Sequence, residues 1–134
     1  MSYTLDTSAI MAYFLDEPGA DVVERIFQKA EKGSIGAFVS FMTFMEILYR
    51  LWKLNGEHSA KKAYLALRAL PIHEITQSED LLVAAARLKA NYPISVADAW
   101  IAATALLTET PLVHKDPEME SLSDIIRLET LPYK

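Results

Sequence analysis

The chain contains no cysteine, which excludes disulfides, thiolate metal sites and a cysteine nucleophile. Glycine is scarce. Gly19, Gly33, Gly36 and Gly56 are the full set, and their spacing makes neither a phosphate-cradling P-loop nor a dinucleotide fingerprint. Basic residues are outnumbered, 13 Lys and Arg against 18 Asp and Glu, for a formal net charge of −5. That balance argues against broad electrostatic adhesion to nucleic acid or anionic membranes, while leaving room for a local basic groove or for acids gathered at a metal. His58, His73 and His114 are scattered, whereas a histidine-based ribonuclease or a zinc site needs at least two converging. The opening Met-Ser-Tyr-Thr-Leu-Asp has neither a basic region nor an apolar one of the kind that directs export. A cytoplasmic protein without membrane contact is the expectation.

What is present suits one compact domain over residues 1–134, since 51% of the residues are hydrophobic and no repeat, linker or low-complexity tract interrupts them. The organising stretch is Asn91–Leu107. Pro93 stops the helix before it, Ser95 is a good N-cap, and Val96–Leu107 is apolar but for Asp98 and Thr104. This reads as a helix buried on nearly every side and far too short to span a bilayer, which takes roughly 20 apolar residues. Ala97, Ala99, Ala102, Ala103 and Ala105 permit close approach of another element.

Around that rod the pattern alternates. Strands are expected at Tyr3–Leu5, Ile35–Val39, Pro71–Ile75, Pro111–Val113 and Ile125–Leu128. Helices are expected at Ala9–Leu15, from Val22 to a stop at Gly33, at Thr43–Leu54, at Glu57–Leu70 and from Ser78 to Leu88. Strand, helical material, then strand is the signature of crossover units with parallel pairing. The fold class is therefore α/β, a single three-layer domain with a mostly parallel sheet of four to five strands flanked by helices. The helix after Thr43 carries more apolar residues than one core-facing stripe needs; Phe44, Leu48, Leu51 and Trp52 span much of its circumference, as a helix with a second, partner-facing side would.

In an open parallel sheet, ligands sit beyond the carboxyl ends of the strands. Asp6 ends the first strand, Glu46 follows the second, Asp98 opens the central helix and Asp116 follows a later strand. Each has a plain local reading: a turn for Asp6, the capping boxes Thr43–Glu46 and Ser95–Asp98, and a loop pair in Asp116-Pro117. Together on one rim they repel one another. A hard divalent cation such as Mg²⁺, which takes oxygen ligands and needs few direct carboxylates, relieves that repulsion and can activate water against a phosphodiester. Two other classes remain open: a non-catalytic α/β interaction module whose acids bind a structural ion, and a phosphatase using Asp6 as nucleophile. The common phosphatase motif has a second Asp two residues on, where this chain has Ser8.

Leu5-Asp6-Thr-Ser-Ala9, Thr43-x-x-Glu46 and Ser95-x-Ala-Asp98-Ala-x-Ile-Ala-Ala-Thr-Ala105, followed by Asp116, resemble a PIN-domain nuclease over essentially the whole chain. Size and the helix after Glu46 resemble the VapC-type toxins of toxin–antitoxin pairs. The resemblance implies a PIN-like fold and a Mg²⁺- or Mn²⁺-dependent endoribonuclease, with Asp6, Glu46, Asp98 and Asp116 as catalytic metal ligands. It also implies an RNA substrate, a homodimer and a cognate antitoxin. One departure stands out. Many relatives carry Thr or Ser two residues before the fourth acid, then a second Asp and a Phe, whereas this chain reads His114-Lys-Asp116-Pro-Glu118-Met119. Asp116 and Glu118 thus both stand as the outer ligand, and a water-positioning hydroxyl falls to Thr7 or Ser8.

Overall fold

The structure, a computed structural model, describes residues 1–133; the last residue of the 1–134 domain expected from sequence lies outside them. Elements run β1 (Tyr3–Leu5), α1 (Thr7–Phe14), α2 (Ala20–Glu31), β2 (Ala37–Ser40), α3 (Phe41–Asn55), α4 (Glu57–Arg68), β3 (His73–Ile75), α5 (Glu79–Asn91), α6 (Val96–Thr108), β4 (Leu112–His114), a 3₁₀ helix (Pro117–Leu122) and β5 (Leu128–Thr130). Among the described residues five strands pair in the order β3-β2-β1-β4-β5, all parallel. The chain winds outward from β1 through β2 to β3, then returns to β4 on the other side of β1. The reversal falls between β1 and β4, whose carboxyl ends border a crevice.

Successive strand residues point to opposite faces, and the two faces carry separate cores. Val113 joins Leu5, Ile10, Val23, Phe27, Val39 and Ile47 under α1 to α4, while its neighbour Leu112 joins Leu81, Leu88, Ile101, Met119 and Leu122 under α5, α6 and the 3₁₀ helix. Helix α6 lies across β2 and β1. Its Ala99, Ala102, Ala103 and Ala105 are fully buried, so small side chains bring its backbone close to the sheet. The Ser95 N-cap is as expected, accepting from the Asp98 N–H at 3.1 Å.

Several boundaries differ from the sequence expectation, and four have a clear local cause. Helix α1 starts at Thr7 because Asp6 itself is the N-cap. Strand β2 begins at Ala37 rather than Ile35 and runs to Ser40, which caps α3. Helix α3 therefore begins at Phe41, so Thr43 is not its cap and Glu46 sits in its second turn, outside any capping box. The last strand is displaced to Leu128–Thr130, because the Ile125 and Ile126 N–H groups bond back to Leu122 O at 3.0 and 2.9 Å, winding that stretch into a turn that buries Ile126.

The apolar surplus on α3 is real, but of the four residues expected only Trp52 belongs to it. Phe44 and Leu51 are core, 5% and 4% exposed, and Leu48 packs partly against them. The exposed stripe is Met45, Tyr49 and Trp52, at 55%, 43% and 42%, one helical face by their spacing. Helix α4 covers the adjacent side, joined to α3 through Gly56, whose φ of 90° suits a residue without Cβ. Leu51→Ala should cost about 2–5 kcal/mol in urea unfolding. Trp52→Ala should cost less than about 1 kcal/mol; a loss as large as that of Leu51 would show that Trp52 is core.

Candidate active site

The four acids singled out from sequence do meet. Asp6, Glu46, Asp98 and Asp116 line one cavity of about 270 Å³ at the carboxyl ends of β1 and β4, together with Thr7, Ser8, Arg50 and Lys115. Asp6, Glu46 and Asp98 are 2%, 6% and 8% exposed, so these are buried charges rather than solvated surface acids. A larger hollow of about 920 Å³ opens at the opposite, amino ends of the strands, between Phe38, Leu106, Pro111 and Ile126. Its titratable side chains are Glu109 and Arg127, and it lies away from the crevice where such sheets bind ligands.

Two of the inner carboxylates, Asp6 and Glu46, are held by hydroxyls. Asp6 Oδ2 accepts from the Ser8 N–H at 3.1 Å and from the Ser8 hydroxyl, and Ser8 Oγ accepts in turn from the Lys115 N–H at 2.7 Å, linking the end of β1 to the end of β4. The Thr7 hydroxyl donates to Glu46 Oε1 at 2.7 Å and lies 3.1 Å from Thr43 Oγ1. Arg50, one turn after Glu46, reaches Glu46 Oε2 at 3.3 Å. Thr7 and Ser8, the two hydroxyls considered for positioning water, here orient carboxylates. That wiring, and the place of Arg50, went unread in the sequence; only the Glu46–Arg50 spacing hinted at it.

Asp6 Oδ1 is fully buried and, among the described residues, has no hydrogen-bond partner. A buried, unpartnered carboxylate oxygen is costly unless something else satisfies it. Among the described residues, Asp98, Asp116 and Glu118 form a group with one oxygen from each lying within 4.8 Å of the others, and Asp6 and Glu46 lie outside that group. Both readings of the outer acid therefore have a place: Asp116 and Glu118 stand side by side, Asp116 half-buried and Glu118 exposed. Asp116 also caps the 3₁₀ helix, its Oδ1 accepting from the Glu118 N–H at 3.0 Å. An all-oxygen donor set with one orphaned oxygen fits a hard divalent cation.

Burial and mutual repulsion show in the acidities. The Asp6 carboxyl is pushed up to about 6, by burial first, against the Ser8 hydrogen bonds that lower it and with the Asp116 and Glu46 charges adding to the rise. The Asp98 carboxyl is pushed up to about 8, by burial and then by the charges of Asp6, Asp116 and Glu46. His114 lies beneath the site, fully buried, and burial lowers its pKa so the ring is neutral. Neither His58 nor His73 lines the cavity.

A doubly wound parallel sheet with a buried carboxylate cluster at its switch point defines an α/β protein suited to a divalent cation. The family is set by the PIN domain model, which matches residues 3–125: the chain belongs to the PIN domain family. The fold expected from sequence is borne out. No curated protein matches the chain. Among solved structures it is similar to VapBC from Salmonella typhimurium bound to DNA, at TM-score 0.76 and 18% identity over 97% of this chain and 98% of that one. It is similar to VapBC2 from Rickettsia felis bound to a promoter DNA fragment, at TM-score 0.74 and 17% identity, covering 98% of this chain and 100% of the other. The structure of FitAcB from Neisseria gonorrhoeae is similar at TM-score 0.72 and 18% identity, over 95% and 96%. At these identities the likeness is one of fold.

The raised carboxyls make a stability prediction for the metal-free protein. Folded Asp6 and Asp98 hold protons more tightly than the unfolded chain, whose groups titrate near 3.8. The native state therefore binds more protons between that value and about 6 for Asp6 and about 8 for Asp98, and stability falls as pH rises through the window. The thermal midpoint in chelator should drop by on the order of 10 °C between about pH 5 and about pH 8.5. Asp98→Asn should remove most of the slope; an unchanged slope in that variant would contradict the assignment.

Proposed function

We propose that the protein is a metal-dependent endoribonuclease and the toxin of a type II toxin–antitoxin pair, folding as a single domain and working in the cytoplasm as a homodimer. The observation that carries this reading is the orphaned Asp6 Oδ1 inside a cavity shared with three further acids. Asp6, Glu46, Asp98 and Asp116 would hold the ion, with Glu118 beside Asp116 at the outer edge. When bound, Mg²⁺ or Mn²⁺ supplies Lewis-acid chemistry that acidifies water and offsets charge on a phosphodiester under attack.

The protein's own residues prepare that chemistry. Ser8 fixes one oxygen of Asp6 and leaves Oδ1 unpartnered. Thr7 fixes Glu46 through Oε1. Arg50 touches Glu46 with one nitrogen and is 42% exposed, so its other donors can meet a phosphate oxygen. The half-buried Asp116 and the exposed Glu118 lie on the open side, where a water attacking the phosphodiester must enter. No histidine lines the cavity, so a water nucleophile, giving a 5′-phosphate and a 3′-hydroxyl, suits the site better than the RNA 2′-hydroxyl.

The partner reading rests on α3. Met45, Tyr49 and Trp52 are exposed, and Glu46 and Arg50 sit one step round the same helix. A cognate antitoxin with an apolar segment and an arginine would cover the stripe and pair a carboxylate. Two of the similar solved structures, from Klebsiella pneumoniae and Mycobacterium tuberculosis, are described by name as a toxin–antitoxin complex and a member of a toxin–antitoxin family.

Cleavage of structured RNA with Mn²⁺ should be abolished in Asp6→Asn and Asp98→Asn while both variants stay folded. The wild type should stop in chelator and leave 5′-phosphate ends. Cyclic 2′,3′-phosphates, or full activity in either variant, would defeat the proposal. Co-expression with its genomic neighbour should give a silent complex that Trp52→Ala weakens.

A further inference from the structure

Asp116 and Glu118 reach the site from the loop after β4, and that loop is tied from below. The His114 side chain is fully buried at the end of β4, and its Nδ1 accepts the Asp116 N–H at 3.1 Å. A side chain accepting the amide two residues on closes a turn, the job a Ser or Thr hydroxyl does in such loops. His114 closes the turn through Nδ1 with a second nitrogen to spare. With Nδ1 accepting, the neutral ring carries its proton on Nε2. Nε2 lies 3.0 Å from Thr130 Oγ1 across the β4–β5 pair. The Thr130 hydroxyl then donates to Glu120 Oε1 at 2.8 Å, and the Tyr133 hydroxyl donates to the same oxygen at 3.0 Å. His114 Nε2 also lies 3.5 Å from Glu120 Oε1, so the ring and the Thr130 hydroxyl converge on one carboxylate within the 3₁₀ helix.

We infer that His114 is a positioning residue, and that through Thr130 and Glu120 the C-terminal strand sets the pose of the loop that presents Asp116 and Glu118 to the cation. A hydroxyl at position 114 could close the turn but could not reach Thr130, so the tether is a property of this chain's histidine. Glu120 and Thr130 are exposed, which makes the outer half of the chain open to substitution without disturbing the core. This rests on the proposed role of Asp116 as a ligand, and two readouts keep the ideas apart.

The first readout needs no metal: amide hydrogen exchange at Asp116 in chelator. The second is Mn²⁺ affinity by calorimetry on the full chain. Thr130→Val should speed Asp116 exchange and weaken Mn²⁺ binding by roughly 10-fold, the lower end for partners that orient ligands. Thr130→Ser should restore both, and His114→Thr should resemble Thr130→Val, with no further loss in the double variant. If Thr130→Val leaves Asp116 exchange and Mn²⁺ affinity at wild-type values, or if the two losses add in full, the tether is overturned. If Asp116→Asn binds Mn²⁺ as the wild type does, the ligand reading fails instead; Asp116 exchange then still decides whether the tether exists.

Discussion

Repulsion among buried carboxylates is the constraint to which the rest of the structure answers. Four acids share a cavity of about 270 Å³, and three of them are almost wholly shielded from water. Left alone, such a group takes up protons, as the elevated Asp6 and Asp98 carboxyls do. The fold places fixed donors against the charge instead. Asp6 sits at the N-terminus of α1 and Asp98 in the first turn of α6, where backbone dipoles favour an anion. Ser8, Thr7 and Arg50 then take up one oxygen of Asp6 and both of Glu46. These donors are enough to orient the acids but not to neutralise them. What remains is an uncompensated charge that a divalent cation would match.

The scaffold follows from where that charge must sit. A switch point exists only if the chain reverses its winding direction, and the β3-β2-β1-β4-β5 order does so beside the strand that carries Asp6. Helix α6 must then deliver Asp98 to the same crevice while packing on β1 and β2, and its run of alanines lets it lie close enough. A larger side chain at Ala102 or Ala103 would lift the helix and withdraw Asp98 with it, so packing at the core and geometry at the site are one requirement.

Much of this was legible because the signals are local. Helix α6, its Ser95 cap and its single acid could be read directly, while Asp6 and Asp116 follow from strand ends and Glu46 from the helix after the second strand. Two kinds of feature could not be read. Boundaries set by hydrogen bonds elsewhere were missed: Ser40 rather than Thr43 caps α3, and Leu122 O draws Ile125 and Ile126 into a turn in spite of their β-branched side chains. Long-range wiring was also missed. Nothing in sequence says that Thr7 meets Glu46 or that Ser8 meets the Lys115 amide, 107 positions away. The apolar surplus on α3 was visible as a quantity, yet which residues α4 would cover depended on tertiary packing.

Helix α3 shows how a site and a surface can be made inseparable. Glu46 and Arg50 form one row of its face, and Met45, Tyr49 and Trp52 form the next. Neighbouring rows on a helix are about 100° apart, so a segment laid along the apolar row comes within a side chain's length of the carboxylates. Tyr49, Arg50 and Glu46 in fact line, with Val96, Asp98 and Glu118, a second hollow of about 580 Å³ that opens onto the acids. Under the proposed function, a partner binding that stripe need not deform the enzyme to silence it. Occupying the apolar row places its own side chains over the entrance, and a cationic one would meet the same unbalanced charge that the metal meets. Inhibition and catalysis would then draw on one electrostatic source, with the geometry of a single helix deciding that the two exclude each other.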